Sequence, residues 1–156
     1  MSAREDQPPA ERVRELLERV NDALDLDADV EVIDDGERIV GLLHGDDMGL
    51  FIGRHGQTID AVQHLAFKIA AVGQSPPPRV EVDAAGYRDR RRQALERQAD
   101  QAAADAVRSA RPVALDAMSA TERKVVHEYL KDRADVETYS EGTEPDRHLV
   151  VAPLGS

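Results

Sequence analysis

The sequence predicts an α+β protein built from two small units joined by a long helix. Its 156 residues suit one medium domain or two small ones. Some segments repeat apolar residues at helical spacing and others are short and rich in β-branched residues, so helices and strands are mixed along the chain. We therefore expect a first unit over residues 10–84, a connecting helix over residues 85–111 and a second unit over residues 112–153.

The first unit is predicted to begin with a helix and a hairpin. Residues 1–9 are polar and contain prolines, which is typical of a disordered leader. From Ala10 to Ala23, apolar side chains return every three or four residues and predict an amphipathic helix. Residues 30–33 and 39–43 have the composition of strands. The Asp34-Asp35-Gly36-Glu37 segment between them favours a tight turn, because glycine accepts positive φ.

A glycine-bounded loop is predicted between the next two helices. The apolar segment Met48–Ile52 predicts a short helix and runs into Gly53-Arg54-His55-Gly56. Helical spacing resumes after the loop and fades at Gly73, and the prolines of residues 76–78 end that helix. Residues 79–83 alternate polar and apolar side chains, as a half-buried strand does. The predicted order is helix, strand, strand, short helix, helix, strand.

The connecting helix is predicted over residues 87–109 and should be only partly buried. It is rich in alanine, arginine and glutamine, and its apolar stripe is thin: Leu95, Ala99, Ala103, Ala106 and Val107. Arg111-Pro112 ends it.

The second unit is predicted to hold one helix and three short strands. Ser119-Ala120-Thr121-Glu122 has the pattern of a capping box, so a helix should run from there to about Lys131, with Val126, Tyr129 and Leu130 inward. Short strands are expected at residues 113–115, 136–140 and 147–152, with turn-forming residues 141–146 between the last two.

Composition excludes several classes of protein. The chain has no cysteine, which excludes disulfides, thiol catalysis and cysteine-ligated metal centres. No apolar run approaches the ~18 residues of a membrane-spanning helix, and the N-terminal segment lacks the pattern of a signal peptide. We expect a cytoplasmic protein.

The formal charge of −11 is unevenly distributed. Residues 1–47 carry fifteen acidic and five basic side chains, whereas residues 48–111 carry seven acidic and ten basic ones. Salt screens charges beyond ~8–10 Å, so a local basic region can still bind phosphate on an acidic protein. We expect moderate, salt-sensitive binding in the middle of the chain.

The Gly53–Gly56 loop has the chemistry of a phosphate-binding turn. Two glycines let backbone amides approach a phosphate, the next helix offers its positive N-terminus, and Arg54 adds a mobile charge. Ile52, Ile59 and Val62 are expected to form an apolar floor for bases. In its six-element setting, Ile-Gly-Arg-His-Gly-Gln-Thr-Ile-Asp-Ala-Val-Gln resembles a type II K-homology domain, which clamps about four nucleotides.

Arg123 and His127 form a second candidate site, because residues four apart share a helix face, and Lys131 continues the stripe. The segment around them, together with Glu144-Pro145-Asp146-Arg147-His148, resembles the R-three-H domain, named for an arginine and a histidine separated by three residues. The two domains in this order resemble the bacterial Jag family, also called KhpB or EloR. Many members carry an additional N-terminal Jag domain, whereas here a short acidic leader precedes the first helix.

This resemblance implies the function and the site residues. It implies a non-catalytic protein that binds single-stranded RNA, as a post-transcriptional regulator or RNA chaperone connected with cell-wall synthesis and cell shape. It also implies pairing with a small single-K-homology protein similar to KhpA. No cofactor or metal is expected. The implied RNA-binding residues are Gly53, Arg54, His55, Gly56, Arg123, His127 and Arg147.

Three alternatives compete with this interpretation. An enzyme would need catalytic or metal-binding groups, and His44, Asp46 and His148 lack ligand spacing. Single-stranded DNA binding stays open, because nothing in the sequence identifies a contact to the 2′-hydroxyl. A protein-interaction adaptor also stays open, since the acidic first helix and hairpin suit a basic partner.

Overall fold

The computed structural model describes residues 6–155. Residues 1–5, which make up much of the predicted leader, lie outside the described residues. The first helix, α1 (Pro9–Ala23), begins at a proline, a residue that the first turn of a helix tolerates because its missing N–H would have no helical partner there. None of the described helices has the length and apolar character needed to cross a membrane.

The first unit ends at Arg88 and has the predicted order of elements. After α1 come β1 (Asp29–Asp34), β2 (Arg38–His44), α2 (Gly49–Ile52), a 3-10 turn (Arg54–Gly56), α3 (Gln57–Ala71) and β3 (Arg79–Ala84). The sheet has the order β1-β2-β3, with β1 and β2 antiparallel and β2 and β3 parallel. The predicted helix, strand, strand, short helix, helix, strand order is confirmed.

Helices α1 and α3 and the sheet enclose the core of the first unit. Its largest fully buried side chains are Leu17, Ile39, Leu43, Phe51 and Ile59. A Cβ atom on Gly41 of β2 would lie 2.5 Å from Leu17 Cδ1, so the absence of a side chain there lets α1 pack directly on the strand. This packing fixes the sheet against which the glycine loop is built.

The second unit begins at Asp89. It contains most of α4 (Tyr87–Ser109), followed by β4 (Val113–Ala114), α5 (Ala120–Leu130), β5 (Val136–Glu141) and β6 (His148–Pro153). The strands form an antiparallel sheet in the order β4-β6-β5. With the first unit, this confirms the predicted α+β class.

Helix α4 contributes more to the second unit than its composition indicates. Its buried residues face a core shared with α5 and the sheet, and they are Leu95, Ala99, Ala102, Ala103 and Ala106. Alanine carries only one methyl group, so the helix backbone can approach its neighbours closely although few large apolar residues mark that face. Val107, predicted to lie in the stripe, is exposed.

Helix α5 begins with half of the predicted capping box. The Ser119 hydroxyl accepts from the Glu122 amide at 3.2 Å. The Glu122 carboxylate instead accepts two hydrogen bonds from Arg91 of α4, at 2.7 and 3.2 Å. Val126 and Leu130 are buried as predicted. Tyr129 was predicted to point inward, but its side chain is 42% exposed and its hydroxyl donates to Asp100 at 2.9 Å.

Candidate nucleic-acid interface

The backbone of the Gly53–Gly56 loop favours glycine at both ends. Gly53 has φ 73° and ψ 177°, and Gly56 has φ 79° and ψ 14°. Residues with a Cβ atom rarely adopt such positive φ angles. His55 between them is also left-handed, at φ 55° and ψ 26°. The Gly56 amide donates to the Gly53 carbonyl at 3.3 Å and closes the turn.

Neither glycine has room for a side chain. A Cβ atom on Gly53 would lie 2.8 Å from Thr58 Cβ and 2.9 Å from the Thr58 nitrogen. A Cβ atom on Gly56 would lie 2.8 Å from Tyr87 Oη and 3.0 Å from its Cε1. The loop therefore lies directly on the start of α3 and on the ring of Tyr87.

The side chains of Arg54 and His55 are exposed at the tip of this loop. Among residues 6–155, neither side chain has a hydrogen-bond or ion-pair partner. Helix α3 begins immediately afterwards at Gln57, and the N-terminus of a helix carries partial positive charge. The tip can thus present a guanidinium, an imidazole and a helix N-terminus to a phosphate.

The predicted apolar floor is wrong for two of its three residues. Ile59 and Val62 are buried in the core, while Ile52 is only partly buried. The exposed apolar residue beside the loop is Leu50, whose side chain is 67% exposed. Sequence reasoning missed it, although the i, i+3 spacing of the buried Met48 and Phe51 leaves Leu50 on another face of the short helix.

A basic cleft of about 400 Å³ lies on the first unit. Its lining includes the arginines Arg38, Arg79 and Arg88, together with Gln63, Val80 and Glu81. Arg38 lies 3.4 Å from the Glu81 carboxylate, and Arg88 lies 3.0 Å from that of Asp60. The exposed Arg79 side chain has no such partner within the described part of the chain. Parallel pairing of β2 with β3 brings Arg38 beside Arg79, a register that the sequence alone does not fix.

In the second unit, Arg123 is largely buried rather than displayed on a helix face. It is 9% exposed, and its Nη1 donates to the carbonyls of Met118 at 2.6 Å and Arg147 at 3.4 Å. Its Nη2 donates to Glu144 Oε1 at 2.7 Å. The guanidinium therefore ties α5 to the connection between β5 and β6.

His127 and Arg147 are more accessible than Arg123. His127 is exposed, with Nδ1 at 2.5 Å from Thr138 Oγ1, and Arg147 Nη1 donates to the Gly142 carbonyl at 2.6 Å. Lys131, predicted to continue the stripe, donates to Glu128 at 2.8 Å. That hydrogen bond lowers the pKa of Glu128 and raises the pKa of Lys131, so both stay charged near neutral pH.

No metal-binding cluster of three or more histidine, aspartate or glutamate side chains is present within residues 6–155. His44, considered above as a ligand, lies with Nε2 at 3.1 Å from Glu31 Oε2 on the neighbouring strand. This contact is an exposed cross-strand pair, as is common in antiparallel sheets.

Two family models match the chain. Residues 10–82 match the KH domain of KhpA/KhpB, and residues 93–153 match the R-three-H domain. The chain is 37% identical over 140 residues to the RNA-binding protein KhpB of Clostridium symbiosum, covering 88% of this chain and 63% of that protein.

Two further relatives carry the same name. The KhpB protein of Lactiplantibacillus plantarum is 39% identical over 104 residues, which cover 67% of this chain and 32% of that protein. The KhpB protein of Bacillus subtilis is 28% identical over 146 residues, which cover 92% of this chain and 70% of that protein. The chain thus spans less than two thirds of the first two relatives. Both matched domain types are nucleic-acid-binding and non-enzymatic. The chain is thus similar to the KhpB proteins, and it has a K-homology domain of the KhpA/KhpB type followed by an R-three-H domain.

Proposed function

We propose that the chain binds single-stranded RNA through the Gly53–Gly56 loop and catalyses no reaction. The observation that carries this proposal is the exposed pair Arg54 and His55 on a loop whose flanking glycines have no room for side chains. A phosphate can approach such a backbone closely, and the N-terminus of α3 favours its charge. K-homology domains clamp about four nucleotides at this loop. The relatives above are named as RNA-binding proteins.

We propose that two further features of the first unit contact the same RNA. Leu50 offers an exposed apolar surface next to the loop, which suits contact with base faces. The cleft lined by Arg38, Arg79 and Arg88 adds local positive charge to an acidic chain, and Arg79 provides a guanidinium for a second phosphate. Few aromatic residues are present, so aliphatic contacts and base-edge hydrogen bonds replace aromatic stacking.

In the second unit, we assign direct contact to His127 and Arg147 and a supporting role to Arg123. His127 is exposed on α5, and Arg147 follows the turn that Arg123 holds through Glu144. An arginine that is 9% exposed and donates to two carbonyls and a carboxylate offers little accessible surface to a phosphate.

Charge reversal at the loop tests the main proposal. The double variant Arg54→Asp/His55→Asp should weaken binding of a fluorescein-labelled single-stranded RNA of randomised sequence by at least about tenfold in a polarisation assay. Arg19→Asp/Gln74→Asp is the matched control, since it changes the formal charge equally at exposed positions elsewhere in the first unit. Equal losses in both variants would mean non-specific electrostatics, and an unchanged affinity in the loop variant would refute the proposal.

Single-stranded DNA of the same length, also randomised in sequence, tests the nearest alternative. RNA preference requires a contact to the 2′-hydroxyl, so DNA should bind more weakly than RNA to the same chain. Equal affinities would favour a general binder of single strands.

In the cell, we propose a cytoplasmic post-transcriptional regulator or RNA chaperone that acts in cell-wall synthesis and cell shape and pairs with a small single-K-homology protein. The support for this role is the family resemblance. Crosslinking followed by sequencing of bound RNA should recover transcripts with the unaltered chain and lose them with Arg54→Asp/His55→Asp. Partner recovery without RNA would favour the adaptor alternative.

A further inference from the structure

The segment that follows β3 folds back under the glycine loop. Ala85 and Gly86 both have positive φ, at 50° and 67°, and the Ala85 amide donates to the Leu43 carbonyl at 3.2 Å. This turn reverses the chain after the last strand of the first unit. It places Tyr87, the first residue of α4, against the loop.

The ring of Tyr87 packs closely against Gly56. The position that a Gly56 Cβ atom would occupy is 2.8 Å from Tyr87 Oη, 3.0 Å from Cε1 and 3.3 Å from Cζ. Tyr87 is partly buried and packs on the core of the first unit. The ring therefore fills the space beneath the left-handed glycine and limits the positions that the loop backbone can take.

The next residue secures the same arrangement on α3 and β3. Arg88 Nε donates to the Val82 carbonyl at 2.7 Å, and its Nη2 donates to Gln63 Oε1 at 3.0 Å. Gln63 Oε1 also accepts from the Val82 amide at 2.9 Å. Helix α3, which starts at the loop, is thus joined to β3 directly through Gln63, and Arg88 adds a second connection between the same two residues.

We propose that Tyr87 is a positioning residue for RNA binding, which sets the geometry of the Gly53–Gly56 loop from outside the K-homology sequence. The match to the KhpA/KhpB KH domain ends at residue 82, and the last strand ends at Ala84. The functional clamp therefore includes the Gly86-Tyr87-Arg88 segment. This inference rests on the proposed function, since it assigns the loop to RNA. A site is productive only when the residues around it hold its backbone in place.

Full-length variants at Tyr87 test this role with two readouts. Tyr87→Leu removes the ring, and Tyr87→Phe keeps it. We expect Tyr87→Leu to shift the backbone amide NMR resonances of Gly53, Arg54 and His55 and to weaken binding of the randomised single-stranded RNA about tenfold. Tyr87→Phe should keep both the loop resonances and the RNA affinity close to those of the unaltered chain. Val13→Ala is the control for general loss of stability, because Val13 is fully buried in the same core on α1.

A double-mutant cycle on the free energy of unfolding provides a second route, which needs neither RNA binding nor the loop resonances. Gly56→Ala adds a methyl group within contact of the ring and also strains the positive φ. In Gly56→Ala/Tyr87→Leu, the steric part is relieved, so the combined loss of stability should be smaller than the sum of the single losses. Additive losses would mean that ring and loop do not constrain each other.

Several outcomes would overturn the positioning role. One is unchanged loop resonances and unchanged RNA affinity in a folded Tyr87→Leu variant. Another is an equal response to Val13→Ala, which would reveal only general destabilisation. Loss of RNA binding in Tyr87→Phe without movement of the loop resonances would mean that the hydroxyl supports binding by another route than positioning the loop. If the unaltered chain binds no RNA, the proposed function fails, whereas the NMR resonances still decide whether Tyr87 positions the loop.

Discussion

Arg123 Nη2 donates to Glu144 Oε1 at 2.7 Å, which joins the first turn of the second unit's helix α5 to the connection between β5 and β6. The arginine is 9% exposed, while the glutamate side chain is largely exposed. The same guanidinium donates to the carbonyls of Met118 and Arg147. One side chain thus fixes the start of α5 and the segment that carries Arg147.

Replacing Arg123 should therefore reduce stability before it affects RNA. Arg123→Met keeps much of the volume but removes hydrogen bonds from a charged donor, and we expect a loss of about 1–3 kcal/mol in the free energy of unfolding. Urea unfolding followed by circular dichroism measures it. Lys124→Met, at the exposed neighbouring position, is the control. Unchanged stability combined with weaker RNA binding would instead indicate that Arg123 contacts RNA directly.

The order of elements in the first unit was predictable because each element has a local signal. The Asp34-Asp35-Gly36-Glu37 turn is an example: Asp35 Oδ1 accepts from the amides of Arg38 and Glu37, which lowers the Asp35 pKa. The burial of Arg123 was not predictable from its helix. The spacing of Arg123 and His127 places both on one face, but Glu144, twenty-one residues further along, determines what covers that face.

Two other features escaped prediction for related reasons. The apolar stripe of α4 was predicted at Leu95, Ala99, Ala103 and Ala106, but the extent of its burial was not, because alanine carries a weak apolar signal although its small size lets the helix pack closely. Tyr87 lies beyond the last strand of the first unit, in a segment that the sequence assigned to a connecting helix. Both depend on tertiary contacts that no periodicity encodes.

Gly53 should be far less replaceable than a glycine with similar φ elsewhere. Gly53 combines φ 73° with ψ 177°, a region that costs other residues about 1–3 kcal/mol, and a Cβ atom would also meet Thr58. We expect Gly53→Ala to lose RNA affinity as well as stability. Gly73→Ala is the control, because Gly73 has φ 72° and a Cβ atom added there would meet nothing within 4 Å. Equal RNA affinities in the two variants would contradict a shape requirement at Gly53.

Arg12 closes the C-terminal end of α3 and should stabilise the first unit. The side chain is 5% exposed, and Nη1 donates to the carbonyls of Ile69 at 2.8 Å and Val72 at 3.1 Å. The last carbonyls of a helix otherwise lack partners. We expect Arg12→Met to lower the free energy of unfolding by about 2 kcal/mol, while Arg19→Met at an exposed position changes little. A more stable Arg12→Met variant would mean that burying the charge costs more than its hydrogen bonds contribute.

The titration of Tyr129 tests a hydrogen bond between two helices of the second unit. Its hydroxyl donates to Asp100, and this hydrogen bond raises the pKa of Tyr129 above its ordinary value of about 10. Because the folded-state pKa is raised, the contact stabilises the fold below the unfolded pKa, and that contribution is lost as pH rises through the folded pKa. Asp100→Asn should return the titration, followed by tyrosinate absorbance, towards the ordinary value. Asp105→Asn, on the same helix, should leave it unchanged.

Arg147 should contact a phosphate of the RNA, and this contact should be measurable in the salt dependence of the binding affinity. When a protein binds a single strand, log affinity falls against log salt concentration with a slope of roughly 0.7 for each phosphate that the protein neutralises. If Arg147 binds one phosphate, Arg147→Gln reduces the slope of log affinity against log salt by about 0.7 and weakens binding to all sequences alike. The matched control is Arg133→Gln, since Arg133 is an arginine of the same unit that donates to Asp135 at 2.6 and 3.1 Å. A reduced slope in the control alone would place the phosphate on another face of the second unit. An unchanged slope in Arg147→Gln would confine the role of Arg147 to its hydrogen bond with Gly142.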